Sequence, residues 1–482
     1  HRKNNHQSRP EFKVNIPRIK FWGRFKNIIR EMKRYPSAIF GLIVILVLVI
    51  GSLYAVIFLP YEKIADDWER AYLTGKVTTP RLAKPAWINL LPKNNYLSSI
   101  VMNTGNGDAE REEKTFSDTI NQIVYTFTFD YDYSSIPQEM LLYISGKYEN
   151  KTPFLSLIWK TPDGREIPLS SKAAEEIVVY NIMDEIPIRR LLADHPKWQE
   201  WYNAIDPELT PIHQLLFADP DSTQAEILPG KYQLVVEGLM FEEGDDVQVE
   251  MVLLGQVYGI SGTDNNRREL YVPLLWGMPF ALIIGLSGAV STTVISMIFA
   301  AAGVWYGGWV DNLVQRMIDV NLVLPVLAIS VMAYTFLGIS IWTILLIYVL
   351  LNVFGMPAKN FRAAFLQIKE APYIEASKAY GAKSWRIISR YMVPKLIPVL
   401  IPQLVILIPS FVFLEATLGF FNIKMMYPTW GKIIYEASTK GALFSSRYWM
   451  LQPIILLLLT GLGFSLFGFA LERILAPRLM ND

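Results

Sequence analysis

The chain has 482 residues, 52% of them hydrophobic and 18% charged, with a mean hydropathy of +0.25; an ordinary soluble domain carries about 25% charged residues, so the composition argues against a purely soluble protein. There is no cysteine, and the four histidines all precede residue 214, which excludes disulfides, thiolate metal sites, a cysteine nucleophile and a histidine-built metal site in the apolar half. Lys and Arg number 45 against 44 Asp and Glu, but they are segregated: 11 basic residues lie in 1–35, 19 basic face 34 acidic in 60–272, and 15 face 8 after 272.

The elements follow in chain order. Residues 1–35 form a basic segment that is expected on the cytoplasmic side. Ala38 to Leu59 is uncharged for 22 residues; about 20 helical residues cross a bilayer core, and the run exceeds a signal-peptide core, so 36–59 reads as an uncleaved first transmembrane helix. Residues 60–260 are long enough for a domain of their own. Gln122 to Phe129 alternates by twos, Phe154 to Trp159 leads into Thr161-Pro-Asp-Gly164, and Gly230 to Glu237 follows Pro229, which is a hairpin pattern. A sandwich-like, mainly β domain is expected, with a helical insertion at 171–216 carried by Ala173 to Tyr180 and Pro187 to Leu192. Its acidity disfavours an anionic lipid surface and suits a basic protein face. His195 and His213 read as surface residues and no metal is assigned.

Five further spans are expected near 273–304, 313–336, 340–357, 396–418 and 449–471, six in all. With 1–35 inside, the count puts residues 60–272 outside and both termini inside. The loop 359–395 then falls inside with Lys359, Arg362, Lys369, Lys378, Lys383, Arg386, Arg390 and Lys395, as the positive-inside rule requires. The fold class is therefore an α-helical integral membrane protein of six transmembrane helices, with the mainly-β domain inserted between the first and second.

The functional constellation lies in that loop. Pro372 suits the first turn of a helix, and Glu370 and Glu375 favour its N-terminal half. Ala376 and Ala379 leave a side with little bulk, and Gly381 can take the left-handed conformation that ends a helix. A second short helix with Lys383, Arg386 and Arg390 is expected to end at Pro394. This is a shape for docking, and no catalytic residue is assigned.

Glu375-Ala376-Ser377, Gly381 and Val393-Pro394 resemble the signature cytoplasmic loop of permease subunits of binding-protein-dependent ABC importers, with Ser in place of the third Ala and Val in place of Leu before the Pro. Gly262-Thr263-Asp264, Gly307-Gly308-Trp309-Val310-Asp311, Asp319 to Pro325, Leu414-Glu415-Ala416 and Pro428-Thr429-Trp430-Gly431 are similar to the dipeptide, oligopeptide and nickel branch, together covering about residues 255–480. Where that branch has Gly-Arg-Asp, this chain has Arg267-Arg268-Glu269, and the external insertion is far longer than is usual in the branch.

The resemblance implies a core at 261–482 whose loop residues Glu375, Ala376, Ser377, Ala379, Gly381, Lys383, Arg386 and Pro394 couple to separate ATPase subunits. No phosphate loop occurs in the chain, so ATP and Mg are expected on two partner ATPases and no cofactor on this chain. The other expected partners are a second permease subunit in a heterodimer, an extracytoplasmic solute-binding protein and membrane lipid, with no nucleic acid. The implied setting is a bacterial or archaeal inner membrane, and peptides are the implied substrate ahead of nickel complexes or oligosaccharides. Glu415, costly in a membrane unless it faces a pore or partner, either lines the translocation path or caps an outer interface. Asp319 either lines the path or pairs with Arg316 on its own helix. The alternative reading is a membrane-anchored sensor or scaffold with a ligand-recognising external domain.

Overall fold

Period-two alternation in the first half of the chain becomes sheet. The computed structural model describes residues 31, 32, 34–59, 76–117, 120–194, 199, 200, 202, 203, 212–222, 226–242, 244–338, 340–423 and 429–475. Its strands are β1 (Ile100–Asn103), β2 (Ala109–Ser117), β3 (Ile120–Tyr131), β4 (Glu139–Lys147), β5 (Phe154–Lys160), β6 (Glu166–Ala173), β7 (Val178–Asn181), β8 (Gly230–Met240) and β9 (Asp246–Leu254). They form two antiparallel sheets, ordered β1-β9-β4-β7 and β2-β3-β8-β5-β6. Every second residue of β3 from Ile123 to Tyr131 is buried, and these side chains share one core with Met140, Leu142, Trp159, Leu234, Val249 and Met251 from both sheets. That shared core is what makes the pair a sandwich.

The turn between β5 and β6 is closed by the Gly164 N–H donating to the Thr161 carbonyl at 3.0 Å, with Gly164 at φ +87. Helix α1 (Pro36–Phe58) precedes the sheets, and α2 (Glu185–Asp194) lies in the expected insertion. Ala173 to Tyr180 does not form a helix: Ala173 ends β6, and Val178, Val179 and Tyr180 pair with β4. Branched and aromatic side chains favour the pleated surface, and burial of Tyr180 outweighs the helical propensity of the preceding Ala and Glu residues. His195 lies outside the described residues. His213 is half-buried in the 3-10 turn Ile212–Leu216, not a plain surface residue, and burial pushes its imidazole down to about 4.

The second half is helical: α3 (Tyr271–Tyr306), α4 (Gly308–Val323), α5 (Val326–Leu337), α6 (Ile341–Val353), α7 (Met356–Lys369), α8 (Pro372–Ala379), α9 (Ser384–Ile387), α10 (Val393–Phe420), α11 (Trp430–Thr439), α12 (Ala442–Ser445) and α13 (Arg447–Leu475). Among the described residues, five helices are long and apolar enough to cross a membrane: 36–58, 271–306, 342–369, 384–420 and 447–475. The expected span at 313–336 is no single straight helix. It is α4 and α5, bent by 76°. Leu324 is extended and Pro325 follows it; proline offers no N–H and bars the helical conformation from the residue before it. Counting the bent pair as one span brings the number up to six. The chain turns at Gly338, φ +59, and Ser340 caps α6 through its hydroxyl. Residues 359–369, expected in the loop, continue as α7, which buries Phe361 and Phe365.

The chain forms two compact units, one of residues 1–50, 281–414 and 458–482 and the other of 51–280 and 415–457. In the first, Gly285 and Gly288 sit under Ile408, Val412 and Phe411, so that a Cβ at either would collide. Gly41 and Gly463 bring α1 against α13 in the same way, which is the close approach small residues allow between apolar helices. In the second unit, Gly419 and Gly431 let α10 and α11 touch backbone to backbone.

Candidate functional site

Two helices with a turn between them stand where the sequence placed the docking loop. Ala371 is extended, Pro372 opens α8, and Glu375 lies in its first turn, where the helix dipole favours a carboxylate. Gly381 at φ +73 ends it: the Gly381 N–H donates to the Lys378 carbonyl at 2.9 Å and the Ala382 N–H to the Ser377 carbonyl at 3.2 Å. This paired arrangement satisfies carbonyls that the last turn would leave unbonded. The Ser377 hydroxyl donates back to the Tyr373 carbonyl at 2.7 Å, so it is occupied within the helix.

One side chain of α8 is buried, Ile374, which enters a core of Ala300, Ala301, Val304, Phe361, Phe365, Ile387, Met392 and Leu396. Two lysines add to this anchorage. Lys369 Nζ donates to the Val304 carbonyl at 2.5 Å, within reach of the Trp305 carbonyl at 3.5 Å; a cation on the last carbonyls of α3 complements that helix end. Lys378 Nζ lies 4.9 Å from the centre of the Trp305 ring, a cation–π distance. The loop is therefore tied to the end of α3 and the beginning of α10.

The opposite side of the loop is bare. Glu375, Ala376, Ala379, Gly381, Lys383 and Arg386 are exposed, together with Tyr380 at 92% and Trp385 at 78%. These two aromatics were absent from the sequence-derived set. Their signal was present: large aromatics in a basic stretch, off the apolar period set by Ile374 and Ile387. Pro394 does not end a helix. Helical conformation is continuous from Ser384 to Phe420, through a π turn at Ile388–Met392 in which the Val393 N–H donates to the Ile388 carbonyl. The wide turn absorbs the donor that proline lacks.

A second tie braces the same unit. Arg362 of α7 donates from Nε and a terminal nitrogen to Asp311 of α4 at 2.8 and 2.7 Å, and Gln315 Nε2 adds a bond at 2.8 Å. Asp319 is exposed on α4, and among the described residues no ion pair joins it to Arg316. Glu415 is 1% exposed, one residue before Ala416, whose carbonyl lies against Gly431 of α11. Its Oε1 has no hydrogen-bond partner among the described residues. Asp319 and Glu415 are thus not in equivalent surroundings, one exposed and the other buried.

The Gly262-Thr263-Asp264 motif is a buried junction within the second unit. Thr263 Oγ1 donates to the Pro80 carbonyl and accepts from the Ala83 N–H, at 2.8 and 2.9 Å. Asp264 accepts from Arg268 Nε at 2.6 Å, and Arg268 reaches Glu436 of α11 at 2.5 Å. Burial pushes the Asp264 carboxyl above its usual range, against the pull of Arg268. Arg267 stands at φ +63 and grips Glu139 of β4 at 2.6 and 2.7 Å.

Comparisons with known proteins speak to the family. The family model for binding-protein-dependent transport system inner membrane components matches residues 292–481. The dipeptide transport system permease protein DppC of Bacillus subtilis (strain 168) is 28% identical over 221 residues, 45% of this chain and 68% of that protein. A Brucella abortus protein described as a peptide transport system permease is 30% identical over 227 residues, 46% of this chain and 74% of its own length. A solved structure of the MetNI methionine ABC transporter, in an inward-facing conformation, is 21% identical, covering 42% of this chain and 97% of that one at a TM-score of 0.30. The chain belongs to the binding-protein-dependent transport system inner membrane components and is a permease subunit of an ABC importer, a multi-pass membrane protein. Permeases of this family work with ATPase and binding-protein partners, and the relatives are transport subunits. The sensor or scaffold reading is not favoured.

Proposed function

We propose that this permease imports peptides, and that α8 with the turn to α9 is the element through which separate ATPase subunits drive it. The observation that carries the coupling role is the two-sided build of α8. Ile374 is locked into the core at the end of α3, while Glu375, Ala376, Ala379 and Tyr380 are left open for a partner. Small residues admit close approach, and exposed Tyr380 and Trp385 flank them as large, rigid contacts of the kind that dominate protein interfaces. Lys383 and Arg386 suit an acidic rim on the ATPase. Pro394 has the lesser role of opening α10.

The peptide substrate rests on the printed names of the dipeptide and peptide relatives. In the assembly proposed here the chain crosses the inner membrane six times, with the bent pair α4–α5 counted as one crossing, both termini inside and residues 60–272 outside. The domain division at 36–59, 60–260 and 261–482 follows from that course. A second, different permease completes a heterodimer, two ATPases bind ATP and Mg, and a solute-binding protein delivers substrate. Glu415, which is buried, is assigned to bracing α10 and α11, and Asp319 to the path.

The test is a mild-detergent pull-down of the full chain from its native membrane, with mass spectrometry of the partners and uptake of labelled peptides in the same cells. Recovery of phosphate-loop ATPases and a second permease, with peptide uptake lost on deletion, supports the proposal. A lone chain, under conditions in which other ABC complexes survive, contradicts it.

A further inference from the structure

We infer that the turn Ala86–Leu90, with Leu91 and Ile260, is an interfacial anchor that rests the β-rich region on the bilayer surface around the spans. The turn is built inside out. Its polar side chains are occupied within the loop: Asn89 Nδ2 donates to the Tyr96 carbonyl at 2.9 Å, Asn89 Oδ1 accepts from the Tyr96 N–H at 3.0 Å, and Asn94 Nδ2 donates to the Ile88 carbonyl at 3.1 Å. Lys84 Nζ stands 4.2 Å from the centre of the Tyr96 ring. Outward face Trp87, Leu91, Leu90 at 86% exposure and Ile260 at 77%. Three asparagine bonds fix a shape whose free surface is apolar, which is costly in water and has to be answered by an apolar partner.

Position identifies that partner. The Ala86 N–H donates to the Gly259 carbonyl and the Tyr258 N–H to the Lys84 carbonyl, both at 2.8 Å, which sets Ile260 beside the turn. Three residues on, the Thr263 N–H donates to the Ala83 carbonyl, and the Thr263 carbonyl accepts from the Tyr448 hydroxyl at 2.9 Å. Tyr448 is the second residue of α13, and α3 begins at Tyr271. The apolar turn is thus tied to the first turn of the candidate span α13 and lies close in sequence to the start of α3; Trp and apolar side chains are favoured where such spans meet the bilayer interface. Charge agrees. Residues 81–93 hold Arg81, Lys84 and Lys93 and no acidic residue, inside a segment of 19 basic and 34 acidic residues. The acidity of the segment as a whole, which argues against anionic lipid, is reversed here, where the stems of the exposed Arg81 and Lys93 can lie along the apolar surface with their heads among phosphates.

The inference rests on the chain crossing the membrane, not on which side the β-rich region occupies. Because the chain has no cysteine, single spin labels test it directly. The full chain carrying Leu90→Cys, Ile260→Cys, Glu112→Cys or Ile50→Cys is labelled and reconstituted in liposomes of mixed neutral and anionic lipid, and oxygen and a nickel chelate are compared as relaxers. The labels at 90 and 260 should resemble the span label at 50, with an oxygen-to-nickel ratio several-fold above that of the label at 112 on charged β2. Nickel access at both 90 and 260 equal to that at 112 overturns the anchor. Protection that appears only when a solute-binding protein or second permease is added overturns it in favour of a protein partner. A label at 50 that is itself open to nickel overturns the spans and the anchor together. Two independent positions, one in the turn and one beside it, cover the failure of either variant to fold.

Discussion

Lys369 Nζ sits on the Val304 carbonyl at 2.5 Å, joining the start of the proposed coupling loop to the end of a helix 65 residues earlier in the chain. Lys378 holds the neighbouring Trp305 by its ring face. Force applied to α8 has two polar routes into α3 besides the apolar one through Ile374. Lys369→Met keeps the stem and removes the charged donor, a bond worth about 1.5–3 kcal/mol. The expected outcome is reduced uptake per ATP hydrolysed, with assembly intact. Uptake and hydrolysis measured together on the same reconstituted complex check it, and an unchanged ratio would remove Lys369 from the transmission route.

Gly381 is required for its backbone, because a Cβ there would meet nothing within 4 Å. At φ +73 an ordinary residue costs about 1–2 kcal/mol, whereas Asn tolerates the left-handed region. Gly381→Pro also removes the N–H that bonds Lys378. Uptake should fall in the order Asn, Ala, Pro, with insertion into the membrane unaffected. Full uptake by Gly381→Pro would dismiss the docking-loop assignment.

Arg267 occupies a left-handed position where the resembling permeases have glycine, and its guanidinium holds Glu139 of β4. The strain and the ion pair oppose one another, so Arg267→Gly alone should change stability little. In a double-mutant cycle with Glu139→Gln, the coupling should be about 1 kcal/mol for this part-exposed pair. Thermal unfolding of the four proteins measures it, and additivity of the two substitutions would mean the pair does not latch β4 to the Arg267 turn.

His213 makes the β sandwich sensitive to acid. Its folded-state pKa is lowered from 6.5 to about 4 by burial, so the neutral ring is favoured in the folded protein. Above pH 6.5 the ring is neutral in both states; as pH falls toward 4 the unfolded chain takes up the proton first, and stability falls by about 3 kcal/mol. Hydrogen exchange around residues 212–217, corrected for its intrinsic pH dependence, should rise over that window, and His213→Gln should flatten the rise.

Local signals carried the sequence reading a long way. Alternation gave the core strands, uncharged runs gave the helices, and Pro372 and Gly381 marked the two ends of α8. What failed were features set by distant partners. Ala173 to Tyr180 has helical composition at its start, but β4 recruits its end into a sheet. The run 313–336 has span composition, and hydropathy does not register that Pro325 divides it. Pro394 reads as a stop, yet the π turn before it lets the helix continue. Lys369 and Arg362 read only as charges, because their partners Val304 and Asp311 lie 65 and 51 residues away. Tyr380 and Trp385 needed the structure to reveal that nothing covers them.

The claim that α8 is the ATPase-docking element is tested most directly by site-specific cross-linking. The chain has no native cysteine, so Ala376→Cys places a unique thiol on the bare side of α8. In native membranes, a short thiol-to-amine reagent should join position 376 to an ABC ATPase subunit, with a yield that changes when ATP is added and that drops when Tyr380→Ala is combined with it. Absence of any ATPase adduct at 376, where a co-purified ATPase is present in the same sample, would contradict the account.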